Sequence, residues 1–244
     1  MLFSLCFDLI DEGGKNKSYP KLLDMVFTYL RGKINHSFFE GVLHLNEQQF
    51  DKFLHINTMG EQYGFPKLAH YHRYEPTPYA GLEQSFEQYV LPENPVFVDM
   101  GCGKGRVPIY IHDKFGIPTV GIEMDAGFYT EAEYNKKSYV QKKHTGTAIT
   151  FEHVIAEQYP IKAVDNIFFF FNPFSIKIFR TVVHNIWKSY EQNMREIHIV
   201  LYYPAHDYLQ FLDYGTPFAL AHEVHLRHET NINERLCVFI LKKA

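Results

Sequence analysis

The run VFVDMGCGKGRVPIY at residues 96–110 decides the fold. A short apolar stretch ends in Asp99, glycines follow at 101, 103 and 105, and a helix begins directly after them. In an open α/β sheet, ligands bind beyond the carboxyl ends of the strands, near the switch in strand order. Glycine removes a Cβ and permits positive φ, so a ligand can press against the backbone of such a loop. The helix that follows offers N–H groups at its N-terminus, equally useful for ordinary capping.

Working outward, the pattern from residue 95 is one of alternation. Strand-like runs fall at 96–100, 118–123, 149–154, 165–171 and 196–203, with helical stretches at 105–115, 126–143 and 175–191 between them. The clearest helix starts at Ser175 and carries Phe179, Val182, Val183, Ile186, Trp187 and Tyr190 on one stripe. Strands alternating with helices predict βαβ units and a mostly parallel sheet. The tail differs: Leu220, His222, Val224 and Leu226 alternate, a polar turn follows at 231–234, and 235–241 is apolar again. This predicts a C-terminal antiparallel hairpin on an α/β, doubly wound sheet.

Upstream, residues 70–78, HYHRYEPTP, form an aromatic, proline-punctuated connection. Thr77 and Pro78 are placed to cap and start a helix with Leu82, Phe86, Tyr89 and Val90 on one face. Asn46 is placed to cap a helix running toward Gly60, with Phe50, Phe53, Leu54 and Asn57 along one side. Residues 20–31 read as a further helix, and Ser37 with Glu40 as a capping box. The expected division is a helical segment over 1–70, a lid or substrate-selecting element, and a ligand-binding domain over 71–244.

The spacing of the loop narrows the ligand. A dinucleotide fingerprint reads G-x-G-x-x-G, whereas this chain has D-x-G-x-G-x-G. A carboxylate at Asp99 repels a pyrophosphate but accepts hydrogen bonds from an ammonium group. A second acid, Glu123, closes the next strand in TVGIEMD, a position suited to ribose hydroxyls. S-adenosylmethionine, with an adenosine ribose at one end and a cationic amino-acid moiety at the other, satisfies both acids.

VDMGCGKGR and GIEMD resemble the first and second motifs of the class I S-adenosylmethionine-dependent methyltransferases, and NPF at 172–174 resembles their substrate-side motif. The resemblance covers roughly residues 75–241. It implies a seven-stranded sheet with one antiparallel strand. It also implies that Gly101, Cys102, Gly103 and Gly105 cradle the methionine part, that Asp99 meets its amino group, and that Glu123 binds the ribose. Ala156 and Glu157, after the third strand, are implied beside the adenine, although HVIAEQY departs from the usual acidic signature.

The stretch DNIFFFFNPFS bears on the acceptor. In amino-methylating relatives the motif is Asp/Asn/Ser-Pro-Pro-aromatic: the polar side chain and a proline carbonyl accept hydrogen bonds from the target amine, and the aromatic stacks on a planar base. This chain has one proline instead of two. By resemblance Asn172, Pro173 and Phe174 are the catalytic candidates; equally, they form a helix-entry turn with Phe174 in the core. Tyr202, Tyr203 and Pro204 either line a substrate pocket or roof the core. Tyr74 and Tyr79 lie where related enzymes fold a segment over the cofactor. Lys104 and Arg106 could be mere surface charges, and no catalytic role is assigned to either.

Composition bounds the remaining possibilities. The 244 residues carry a net charge of −4, which gives no general basic footprint for nucleic acid. Lys136, Lys137, Lys142 and Lys143 read as a solvated helix face. Three scattered cysteines, Cys6, Cys102 and Cys237, fit a reducing cytosol better than a disulfide framework. The apolar start MLFSLCFDLI lacks a basic leader and runs into acids, so it reads as a short buried segment, and no run has the length of a membrane span. The histidines at 70 and 72, and at 222, 225 and 228, have no accompanying Cys pair or H-E-x-x-H, so no metal is expected. The expected activity is methyl transfer from S-adenosylmethionine in the cytoplasm. The acceptor is an amino group of a nucleic-acid base, a protein side chain or a small molecule. The alternatives are a non-catalytic binding protein on this fold and a nicotinamide oxidoreductase. Oligomeric state is not read from the sequence.

Overall fold

The computed structural model describes residues 46–60, 70–87, 89–143, 148–227 and 229–241. The expected helix at 20–31 and the capping box at Ser37 lie outside these residues, as does the apolar start. All of the described residues belong to one unit, Leu45–Ala244.

Helix α1, Glu47–Leu54, is opened by Asn46: its side chain accepts from Gln49 N while the Gln49 side chain accepts from Asn46 N. This reciprocal pair satisfies two amides that the helix leaves without partners. The helix ends well before Gly60. His55 adopts a left-handed conformation, and the Asp51 carboxylate captures the backbone N–H and hydroxyl of Thr58, turning the chain back. Asn57 is therefore not on the helix face predicted for it.

Helix α2, Tyr79–Ser85, begins after Pro78 and makes no side-chain cap bond. Thr77 is not its cap; its carbonyl instead accepts from Arg106. Tyr89 and Val90 lie beyond the end of α2; Tyr89 still packs on Phe86, but Val90 is 69% exposed and leaves the expected apolar face.

The sheet then builds as β1 (Phe97–Met100), α3 (Arg106–Phe115), β2 (Thr119–Glu123), α4 (Ala126–Lys143), β3 (Ile149–His153), β4 (Ile167–Phe170), α5 (Ile176–Gln192) and β5 (Ile197–Tyr202). Helix α6 (His206–Gly215) and the hairpin β6 (Ala219–His225) and β7 (Arg235–Leu241) complete it. The strand order is β3-β2-β1-β4-β5-β7-β6, parallel from β3 to β5, with β7 antiparallel to both β5 and β6. This is the expected seven-stranded sheet.

The all-apolar strands are explained by a core on each face. Phe97, Phe169 and Val200 point to the face covered by α2, α3 and α4. Val98, Phe168, Phe170 and Ile199 point to the face where Phe179, Val182 and Ile186 of α5 pack. Alternation along β1, β4 and β5 thus divides apolar side chains between two cores, which is why these strands do not read as apolar-polar repeats. The edge strand β6 is mostly exposed, and a register shift between Leu220 and His222 breaks its alternation, leaving Leu220 47% exposed. No described helix is long and apolar enough to cross a membrane.

Candidate active site

The carboxyl ends of β1, β2 and β4 open on a cavity of about 710 Å3. Its floor is the loop after β1. Gly101, Gly103 and Gly105 all have positive φ, at 110°, 52° and 82°. A Cβ on Gly101 would lie 2.7 Å from Pro173 Cβ, and one on Gly103 would run into the Tyr74 ring. Gly105 does not line the cavity; the space beside it is filled by Phe151 and Ala132. These three bare positions therefore admit the protein's own side chains. Only Gly101 and Gly103 also face the cavity.

The loop amides are engaged internally. Gly101 N and Cys102 N donate to Ile122 O at 3.0 and 2.9 Å, Gly105 N to Cys102 O at 2.9 Å, and Gly103 N to Glu123 Oε2 at 2.8 Å. A loop so bonded is not a nest of donors for a phosphate. Two buried acids, Asp99 and Glu123, line the cavity, which the basic side chains of Lys104 and Arg106 also line. Burial, and the proximity of Glu123, push the Asp99 carboxyl well above the usual carboxylate range. Burial also raises Glu123, against the N–H groups of Asp125 and Gly103 that favour its ionised form. Buried acids whose charged forms lack sufficient compensation favour a cation in the cavity.

The roof is the stretch 71–77, all of which lines the cavity. Tyr71 forms an antiparallel bridge with Phe174, His72 N donates to Pro173 O at 3.0 Å, and Ser175 N donates to His70 O at 2.8 Å. Tyr74 rests against Phe128, with ring centroids 4.8 Å apart, and its hydroxyl donates to Thr58 O at 2.6 Å. Tyr74 thus lies over the glycine loop, whereas Tyr79 is a core residue whose hydroxyl donates to Asp51.

The remaining predicted residues separate. Cys102, Ala156, Pro173 and Phe174 line the cavity with Asp99, Gly101, Gly103 and Glu123; Glu157 and Asn172 do not. The Glu157 carboxylate accepts from the Tyr71 hydroxyl at 2.7 Å, tying the roof to the turn after β3. Asn172 sits at φ 44°, and its Oδ1 is buried without a hydrogen-bond partner. Phe174 is 1% exposed, edge-on to both Phe170 and Tyr71, and its carbonyl accepts from Tyr208. Tyr202 roofs the core, donating to Glu234 at 2.9 Å, and neither it nor Tyr203 lines the cavity. Lys104 and Arg106 are not surface charges: both are buried and line the cavity. Nothing local marks them, because their partners Glu47, Asp51, Thr58, Met59 and Glu131 lie far along the chain. Tyr71 and Phe171 also line the cavity and were not foreseen. Among the described residues no cluster of His, Cys, Asp and Glu is placed to hold a metal.

The fold recurs in solved structures. An RNA methyltransferase from Salinibacter ruber, solved with S-adenosyl-L-homocysteine, superposes with a TM-score of 0.51 at 17% identity, over 70% of this chain and 95% of that one. The chain has the class I methyltransferase fold. Looser likeness extends to the N-methyltransferase NodS from Bradyrhizobium japonicum (TM-score 0.45, 10% identity, 67% of this chain and 93% of that one). An rRNA methylase from Streptococcus thermophilus gives 0.44 at 13% identity, over 64% and 90%. No family model matches the sequence, and no curated protein matches it. The cavity over β1 and β2 combines two buried carboxylates, Gly101, Gly103 and an aromatic roof, a lining that fits a sulfonium nucleoside.

Proposed function

We propose that this chain binds S-adenosylmethionine and transfers its methyl group to an acceptor. The observation that carries this reading is that Asp99 and Glu123 share one cavity with a glycine loop whose amides are engaged internally. That combination disfavours the pyrophosphate of a nicotinamide dinucleotide, which needs free donors and no facing carboxylate. The bound sulfonium supplies an electrophilic methyl carbon, and its sulfur leaves as a neutral thioether.

The chain's own residues bind and orient. Asp99 accepts from the amino group, Glu123 accepts from the ribose hydroxyls, and Ala156 borders the adenine. Residues 71–77 cover the loop and exclude water, so catalysis rests chiefly on alignment of acceptor and methyl carbon. Toward the acceptor, the Pro173 carbonyl is already taken by His72 N. Of the two acceptors that amine methylation uses, the Asn172 side chain has an unpartnered Oδ1, but that atom is buried and Asn172 does not line the cavity. The resemblance of the Asn-Pro-Phe turn is what supports an amino group, such as that of an RNA base, as the acceptor; Phe174 is too deeply buried to stack on it. Residues 71–244 carry the catalytic domain, and the segment before them is assigned acceptor selection, its residues 47–58 also bracing the cofactor roof.

Calorimetric titration with S-adenosylmethionine and with NADH tests the reading. Binding of the sulfonium and not of NADH is expected, and Glu123→Ala should weaken it about ten- to a hundredfold, the scale of charge-assisted hydrogen bonds. No sulfonium binding by folded protein would refute the proposal. Binding without methyl transfer to RNA, DNA, protein or metabolite mixtures would favour the non-catalytic role.

A further inference from the structure

Arg106 opens α3 directly after Gly105, and its side chain is 2% exposed. Its guanidinium reaches three separate stretches of chain. Nε donates to Thr58 Oγ1 at 2.6 Å, and Nη1 donates to the Thr77 carbonyl at 3.0 Å and to the Glu47 carboxylate. Nη2 meets Met59 Sδ at 3.3 Å and stands 3.7 Å from Asp51 Oδ1. The fork lies over the Tyr79 ring, 4.3 Å from its centroid. Asp51 in turn accepts from Thr58 N, from the Thr58 hydroxyl and from the Tyr79 hydroxyl.

Thr58 is the node of this network. Its hydroxyl receives Arg106, and its carbonyl receives the Tyr74 hydroxyl at 2.6 Å. The Tyr74 ring occupies the space above Gly103. Through the Thr77 carbonyl, Arg106 also anchors the far end of the roof. One buried cation at the base of the glycine loop therefore sets where the roof stands over that loop.

We propose that Arg106 is a positioning residue for the cofactor: it acts through Thr58 and Thr77 to hold Tyr74 and the stretch 71–77 at the height that encloses the ligand. This rests on the cofactor reading above. A planar fork is required, because a lysine ammonium on a shorter reach cannot bond Thr58 and Thr77 together.

The test compares Arg106→Lys with Val183→Ala, a core truncation on α5 away from the cavity, matched for loss of melting temperature. Dissociation constants for S-adenosyl-L-homocysteine are measured well below both melting points, and hydrogen exchange is followed over 71–79. Arg106→Lys should weaken binding at least tenfold and speed exchange in 71–79, while Val183→Ala does neither. Binding within twofold of wild type by folded Arg106→Lys would overturn the proposal. Should Arg106→Lys fail to fold, Tyr74→Phe, which removes the hydroxyl bonded to Thr58 and keeps the ring, carries the same expectation and the same refutation. If wild-type protein binds no S-adenosyl-L-homocysteine, the cofactor reading fails separately. Exchange in 71–79 then decides the positioning role, and unchanged exchange in Arg106→Lys refutes it.

Discussion

The environment of Gly103 separates two demands that a glycine-rich loop conflates. Its φ of 52° is costly for any L-residue, and its missing Cβ leaves room for Tyr74. Gly116, at φ 67°, meets the first demand alone, since nothing lies within 4 Å of its Cβ position. Gly116→Ala should cost about 1–2 kcal/mol, the left-handed penalty, whereas Gly103→Ala should cost more and weaken cofactor binding besides. Adding Tyr74→Ala to Gly103→Ala should recover the steric part and leave the backbone part. Urea denaturation of these three variants, with Tyr74→Ala alone as a fourth, reads this directly, and equal costs at 103 and 116 would show that Tyr74 exerts no pressure. That Asp99, Glu123 and the loop meet at one sheet edge could be read from spacing because they lie at adjoining strand ends. The burial of Arg106 could not, because Glu47 and Thr58 reach it only through the tertiary fold.

At the scale of elements, the periodic segments were the legible ones. The Ser175 stripe became α5, with Phe179, Val182, Val183 and Ile186 buried. Phe179 stacks on Tyr208 of α6 at 3.6 Å and meets Phe170 edge-on at 5.1 Å, joining helix, helix and sheet. Phe179→Ala should cost about 3–5 kcal/mol, the range for a buried aromatic truncation, seen as a lowered denaturation midpoint with cofactor affinity little changed in the folded protein. A cost under 1 kcal/mol would mean that the neighbouring aromatics collapse into the gap. Helix α6 itself was not foreseen: in ten residues it buries only Tyr208 and Leu212, too few to declare a period. The overlong reading of α1 has a different cause. Its apolar spacing continues to Asn57, but a tertiary event, capture of Thr58 by Asp51, stops the helix first.

For the molecule as a whole, the two cavity acids couple ligand binding, stability and pH. Asp99 and Glu123 are both shifted upward, so the folded protein holds their protons more firmly than the unfolded chain does. Their contribution to stability is present below the ordinary carboxylate range and is lost as pH rises through the raised values. Binding of a cationic ligand has the opposite sign, since it favours the ionised acids. Affinity for S-adenosylmethionine should therefore strengthen as pH rises through that window, with proton release on binding. Calorimetry in buffers of different ionisation enthalpy measures the release, and a pH-independent affinity with no proton exchanged would exclude the coupling. The strand order carries a consequence of another kind. β7 lies between β5 and β6, although both precede it in the chain. Until Arg235–Leu241 arrives, the six buried residues of β5 form a bare edge and β6 has nothing to pair with. A nascent chain stopped short of Arg235 thus presents an apolar strand of the sort on which polypeptides aggregate. Synthesis leaves this molecule most vulnerable just before its last strand is inserted.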